Sequence, residues 1–306
     1  MERPNKGIFI RRYLAAALTA LAVVGCAAEE ALETATKGYL SVSSAETAFP
    51  YTERSAIAFS SVYKKSYVDV KRSTSREALV ALSEGETRVA VLSRELNQFE
   101  QEDMKDIAEL NGKTFQYRTI AHDAVTIIVH GDNPVEKLTF RQLKDIYTGK
   151  ITNWKDLGGE NRRIRPLVRD RNAGTYEVFQ DRVLNKAQYG ANAYPCSTVA
   201  ELTRIVEYDK GAIGCAGLMM IQRGYLKAIA IAEEDDGAYV VPSQRSIHDK
   251  RYPLSRPVVV CYFRTRAMDL VKGFVTYLME AKGQTLAMRE GILPATMPVR
   301  IVEMKR

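Results

Sequence analysis

From residue 38 onward, β-branched runs of strand length alternate with amphipathic segments of helix length, and this alternation limits the fold more than any other feature. Residues 38–43, 67–71, 88–92 and 114–120 read as strands, with helices over 53–64, 75–83 and 100–110 between them. Residues 125–129 form another β-branched run, which ends in the turn cluster His130-Gly131-Asp132-Asn133-Pro134. Thr139 then caps a short helix over 140–147, whose Phe140, Leu143, Ile146 and Tyr147 share one face. A strand over 164–168 precedes helices over 176–184 and 199–208, the second introduced by Ser197, Thr198 and Glu201 as a capping box. Strands follow over 212–216 and 227–231, then a charged irregular stretch over 233–256, a strand over 258–263 and a helix over 268–280. Strands separated by helices predict an α/β protein with a largely parallel sheet. Its 306 residues would fill about two domains of roughly 150 residues.

The N-terminus is set apart from this pattern. Arg3, Lys6, Arg11 and Arg12 precede an apolar run of 12 residues, 13–24, which is shorter than the about 20 that span a bilayer. A basic head, a short apolar run and small residues after it describe a signal peptide. Cys26 directly after Gly25 resembles a bacterial lipobox, which implies a signal peptide over 1–25 and a lipidated Cys26. A plain signal peptide cut at Ala27 or Ala28 is the competing reading. Residues 27–37 are polar and rich in Ala, Glu and Thr, so 26–37 reads as a tether.

Charge and cysteine content narrow the function classes. The formal net charge of +7 falls to +4 once residues 1–25 are removed, and no basic stripe interleaves with aromatics, so nucleic acid is not an expected partner. Cys196, Cys215 and Cys261 have no metal-like spacing; Cys215 and Cys261 lie in apolar runs, and a disulfide involving Cys196 stays open. His122, His130 and His248 share no spacing that suggests metal binding or histidine-based catalysis.

The clearest chemistry lies where the 164–168 strand runs through Arg169-Asp170-Arg171-Asn172-Ala173-Gly174-Thr175 into a helix. A helix N-terminus offers unpaired N–H groups and about half a positive charge. Ala173-Gly174 lets backbone approach a ligand, Thr175 adds a hydroxyl and Arg169 can fork onto an oxyanion. The set suits a tetrahedral oxyanion, although a capped helix with surface arginines would show the same spacing.

At this point the chain resembles the substrate-binding proteins of bacterial ABC phosphate importers. The run Lys144-Asp145-Ile146-Tyr147-Thr148-Gly149-Lys150-Ile151-Thr152-Asn153-Trp154 is similar to that family's most specific stretch. The Arg169-to-Thr175 loop, Asp209-Lys210-Gly211-Ala212-Ile213-Gly214, Tyr252-Pro253-Leu254-Ser255-Arg256-Pro257, Gly283-Gln284 and Gly291-Ile292-Leu293-Pro294 follow in the family's order. The resemblance covers about residues 38–300. It implies a periplasmic-binding-protein-like type II fold: two α/β lobes joined by two crossover strands, near 125–129 and 258–263, with a ligand cleft between them. Lobe 1 would comprise 38–122 and 257–306, and lobe 2 would comprise 123–256.

The resemblance also implies a phosphate site. Its positions here are Thr47, Ser75, Ser93 and the adjoining Arg94, with Arg169, Ala173, Gly174 and Thr175 in the loop and Asp123 in a cleft or hinge role. Thr47 and Ser75 serve equally as plain N-caps, Ser93 and Arg94 as turn formers, and Arg94 can pair with a carboxylate across the cleft. Trp154 and Tyr147 read as packing rather than as a ligand platform. The chain departs from its relatives in three ways. Ala173 replaces a frequent Ser; Arg171 replaces an acid that orients the loop Arg, leaving that task to Asp170; and Arg94 stands where some members carry a proton-accepting Asp. Phosphate selectivity over sulfate would then rest on another acceptor such as Asp123 or Asp170.

The implied activity is capture of inorganic phosphate and delivery to an ABC permease by a monomeric, exported protein, held to the membrane only by its lipid, without a cofactor or catalytic residue. Two alternatives stand beside it: an oxyanion sensor or surface scavenger, suggested by Glu29-Glu30 after Cys26, and a phosphate-ester hydrolase, which would need a nucleophile with a base or metal.

Overall fold

The structure is a computed structural model that describes residues 33–222, 225–265 and 269–296. Cys26, the signal segment and the first part of the tether lie outside the described residues. Strand β1 (Lys37–Ala45) lies between β2 (Lys65–Ser73) and β3 (Val89–Leu92) and runs parallel to both. Helices α1 (Phe49–Val62) and α2 (Ser75–Ser83) make the crossovers, and α3 (Gln98–Leu110) leads on to β4 (Thr114–His130). Alternation along the strands separates two sets of side chains. Leu40, Val42, Val89 and Val91 pack with Tyr51 and Phe59 of α1, whereas Ala90 and Leu92 pack with Leu79 and Leu82 of α2.

The second half begins with β5 (Lys137–Thr139) and α4 (Phe140–Tyr147), which Thr139 caps through its side chain. It continues through β6 (Arg165–Arg169), α5 (Gly174–Arg182), β7 (Tyr194–Cys196), α6 (Val199–Tyr208) and β8 (Ala212–Gly217). Short strands β9 (Leu226–Ala228) and β10 (Ala230–Ala232) and helix α7 (Gln244–His248) precede β11 (Ser255–Arg264). Helices α8 (Leu270–Met279) and α9 (Ala281–Arg289) and strand β12 (Leu293–Pro294) follow.

The main sheet has the order β2-β1-β3-β11-β4-β8-β6-β7, with β9 and β12 also on β4. It is mixed rather than largely parallel. The two flanks are parallel, but β11 is antiparallel to both β3 and β4, and β4 is antiparallel to β8. The chain therefore returns through β11 into the first flank instead of adding a strand at an edge. β4 is one strand of 17 residues rather than two short ones. Its residues 121–124, Ala-His-Asp-Ala, carry little β propensity, yet β11 and β12 hold them extended from the side. Helix α7 lies in the stretch that reads as irregular, and Ser243 caps it.

Large apolar side chains collect into separate cores. One, built chiefly from residues 124–254, holds Trp154 and Tyr147. Trp154 donates through Nε1 to the Gly211 carbonyl at 3.1 Å, and the Tyr147 hydroxyl donates to the Ile213 carbonyl at 3.3 Å, so each buried polar tip is satisfied. Others, built chiefly from residues before 122 and after 257, flank the first three strands. Cys196, Cys215 and Cys261 are buried free thiols; burial pushes Cys196 up to about 11 and Cys215 up to about 12. The end of the expected tether is already docked. Glu33 pairs with Arg88 at 2.7 Å and accepts a hydrogen bond from the Leu270 N–H at 3.0 Å. Among the described residues, no helix is long and apolar enough to cross a membrane.

Candidate functional site

Three strand-to-helix turns and a fourth loop converge on one small pocket. Thr47 lines it from the turn after β1, Ser75 from the start of α2, Ser93 from the turn after β3, and Arg169, Ala173, Gly174 and Thr175 from the β6–α5 loop. Glu46, Thr74, Ala45 and Val199 complete the wall around about 220 Å³ of atom-free space. The parallel strands put these turns at their carboxyl ends, where helix N-termini point inward.

Local hydrogen bonding decides which groups remain for a ligand. Thr74, not Ser75, caps α2: its hydroxyl accepts from the Glu77 N–H at 3.2 Å. Thr47 is not a cap either, since α1 starts after Ala48 with no side-chain cap. Helix α5 starts after Ala173, again with no side-chain cap. Side chains cap α2, α3, α4, α6, α7 and α8; α1 and α5, which start at the pocket, have no such cap, and neither does α9, whose residues do not line the pocket. The Ala173 N–H itself is spent on the Asp170 carbonyl at 3.0 Å. Gly174 is required sterically: a Cβ there would sit 2.7 Å from Ser93 Oγ and 2.9 Å from Ser75 Oγ.

Arg256, which carries no expected role, organises two of the hydroxyls. Its guanidinium donates to Thr175 Oγ1 at 3.1 Å through Nη1 and to Thr47 Oγ1 at 3.1 Å through Nη2. With lone pairs so engaged, each hydroxyl is left to donate its own proton into the pocket. Asp123 fixes this arginine from behind, with Oδ2 at 2.8 Å from Nη2, and both side chains are 2% exposed. The other oxygen of Asp123 accepts from the Leu218 N–H at 2.9 Å. Asp123 stands behind the guanidinium and does not line the pocket.

Arg169 is likewise oriented by residues other than the expected one. Its Nη2 donates to Glu46 Oε2 at 2.5 Å and its Nη1 to the Cys196 carbonyl at 2.9 Å. Glu46 is held by a further bond from the Val199 N–H at 3.0 Å, at the start of α6. Asp170 instead accepts from the Asn172 N–H at 2.8 Å and shapes the turn. Arg169 Nε is buried with no hydrogen-bond partner, a donor that the protein itself leaves unsatisfied.

Arg94 lies outside the pocket lining. Its fork binds Glu100 at 2.7 and 2.8 Å, and its Nε touches Glu177. Burial alone would disfavour the Arg94 charge, but bonding to Glu100 and the charges of Glu177 and Glu100 hold its pKa above the ordinary value. Burial raises the Glu177 carboxyl despite the opposing pull of Arg94.

Glu46 and Arg256 are the residues that sequence reasoning missed. Glu46 directly precedes Thr47, and Arg256 lies inside the Tyr252-to-Pro257 motif, so proximity to recognised residues was the available signal.

A family model for the PBP superfamily domain matches residues 29–282. The phosphate-binding protein PstS of Staphylococcus haemolyticus is 30% identical over 209 residues, covering 66% of this chain and 64% of its own length. The chain thus spans just under two thirds of the length of the curated relatives it matches. A phosphate ABC transporter substrate-binding protein from Clostridium perfringens, solved with bound phosphate, superposes with a TM-score of 0.75 at 26% identity, covering 85% of this chain and 100% of that one. An ABC-type phosphate transport receptor from Vibrio cholerae shares the fold, with a TM-score of 0.66 at 24% identity over 83% of this chain and 99% of that one.

Proposed function

The chain belongs to the PBP superfamily, and on that premise we propose that it captures inorganic phosphate in this pocket, outside the cytoplasm, and delivers it to an ABC permease. The observation that carries the reading is the convergence of donors. Two uncapped helix starts, hydroxyls whose lone pairs are engaged and an arginine with a free Nε surround one small space. Such an arrangement favours a compact anion with several acceptors. The names and the bound phosphate of the relatives supply the choice of phosphate.

The donors come from both sides of β4 and β11. We assign residues 38–122 and 257–306 to one lobe and 123–256 to the other, with those two strands as the connection. Closure is then stabilised by contacts that exist only when the lobes meet over the ligand. Cys26 is assigned to lipid anchoring, which mass spectrometry of membrane-extracted protein tests: a diacyl mass on the peptide that begins at Cys26 is expected.

Titration calorimetry of the lipid-free protein, with phosphate and sulfate in separate runs, tests the function. One-to-one phosphate binding with weaker sulfate binding is expected, and binding of neither overturns the proposal. Turnover of a phosphomonoester panel would contradict the transport reading.

Glu46 is the acceptor on which selectivity rests. An ion in contact with its carboxylate gains by bringing a proton, which hydrogen phosphate has and sulfate lacks. Glu46→Gln is expected to reduce the phosphate-to-sulfate affinity ratio by about tenfold; an unchanged ratio would remove Glu46 from this role. Gly174→Ala tests the geometry independently. Overpacking costs about 1–3 kcal/mol, and here it falls on the donors themselves, so phosphate affinity is expected to drop by about tenfold or more, as the same titration would read.

A further inference from the structure

We propose that Arg94 and Glu177 form a clasp across the cleft that holds the lobes together and sets how long the ligand stays, without touching the ligand. The inference rests on the phosphate-capture reading and extends it to the rate of release.

Glu100 holds Arg94 rigidly from its own side. The two terminal nitrogens bind the Glu100 oxygens at 2.7 and 2.8 Å, and Nη1 also donates to the Glu95 carbonyl at 2.8 Å. Glu100 is itself anchored by the Asn97 N–H at 3.0 Å in a capping box at the start of α3. The fork is therefore used up locally, and only the Nε edge reaches outward, where it meets Glu177 in the first turn of α5. Each partner stands next to the pocket in sequence. Ser93 precedes Arg94, and Gly174 and Thr175 precede Glu177 by a few residues. Among the described ion pairs, Arg169–Glu46 also joins the two sides, but its members line the pocket, whereas neither Arg94 nor Glu177 does.

A pair of this kind, 7% exposed on the arginine and 29% on the glutamate, exists only when the two sides meet. Its loss acts on dissociation, because encounter involves the open form.

Glu177→Gln is the chosen variant, because it leaves the two terminal nitrogens of Arg94 bound to Glu100 and removes only the cross-cleft charge. Stopped-flow measurements on the mature, lipid-free protein are expected to show phosphate dissociation about tenfold faster, with association no slower than in the wild type. Small-angle scattering without phosphate is expected to give a larger radius of gyration for the variant. Dissociation within twofold of wild type overturns the clasp. If the wild-type protein binds no phosphate, the capture reading fails instead, and the scattering comparison alone decides the clasp: identical profiles overturn it.

Discussion

Arg169→Ala lowers phosphate affinity by about a thousandfold while leaving a folded protein. The size follows from what the side chain does. Arg169 is the charged donor in the pocket wall, its Nε has no partner, and its other nitrogens are fixed by Glu46 and the Cys196 carbonyl. Hydrogen bonds to charged groups contribute about 1.5–3 kcal/mol each. The variant also leaves the Glu46 carboxylate without its cation, beside the incoming anion. About 4 kcal/mol in total corresponds to about a thousandfold in affinity. Titration calorimetry measures it, and the double variant Arg169→Ala with Glu46→Gln separates the two contributions. It is expected to recover part of the loss by removing the uncompensated charge. Thr175→Val, which deletes one hydroxyl, is a milder change at the same place.

Arg256→Met has its largest effect on stability. Asp123 and Arg256 are both nearly inaccessible, and breaking a buried pair by removing one partner costs about 3–5 kcal/mol, because the remaining charge is stranded. At about 2–4 °C per kcal/mol for a chain of this order, thermal unfolding is expected near 10 °C lower. The paired substitution Asp123→Leu with Arg256→Met removes both charges and should recover much of that stability. It should not recover phosphate binding, since Thr47 and Thr175 then lose the guanidinium that engages their lone pairs. Recovery of both would reduce Arg256 to a purely structural role.

The order of strands and helices was legible because hydrophobic periodicity is a local property. The 75–83 and 199–208 helices have the same bounds in the sequence reading and in the structure. What periodicity could not show was direction. The antiparallel return of β11 between β3 and β4 depends on pairing partners more than 100 residues away, and no pattern within either strand encodes it. The site divides along the same line. Ser75 and Thr175 lie at helix starts that sequence marks, and Gly174 lies where a loop meets a helix. Choosing Thr74 over Ser75 as the cap, however, required the actual hydroxyl geometry. Glu46 reaches Arg169 across 123 positions and Arg256 reaches Asp123 across 133, so which acid faces which base is settled by folding alone. Arg94 illustrates the converse. Its position beside Ser93 suggests a ligand contact, but Glu100, six residues on, captures its fork first.

The most direct test is a crystal structure of the mature protein grown with phosphate. The expected result is one tetrahedral anion in the pocket, within hydrogen-bonding distance of Arg169 Nε, the Thr47 and Thr175 hydroxyls and the Gly174 N–H, with one oxygen facing Glu46. An anion bound elsewhere, or a pocket still empty at saturating phosphate, would contradict the account.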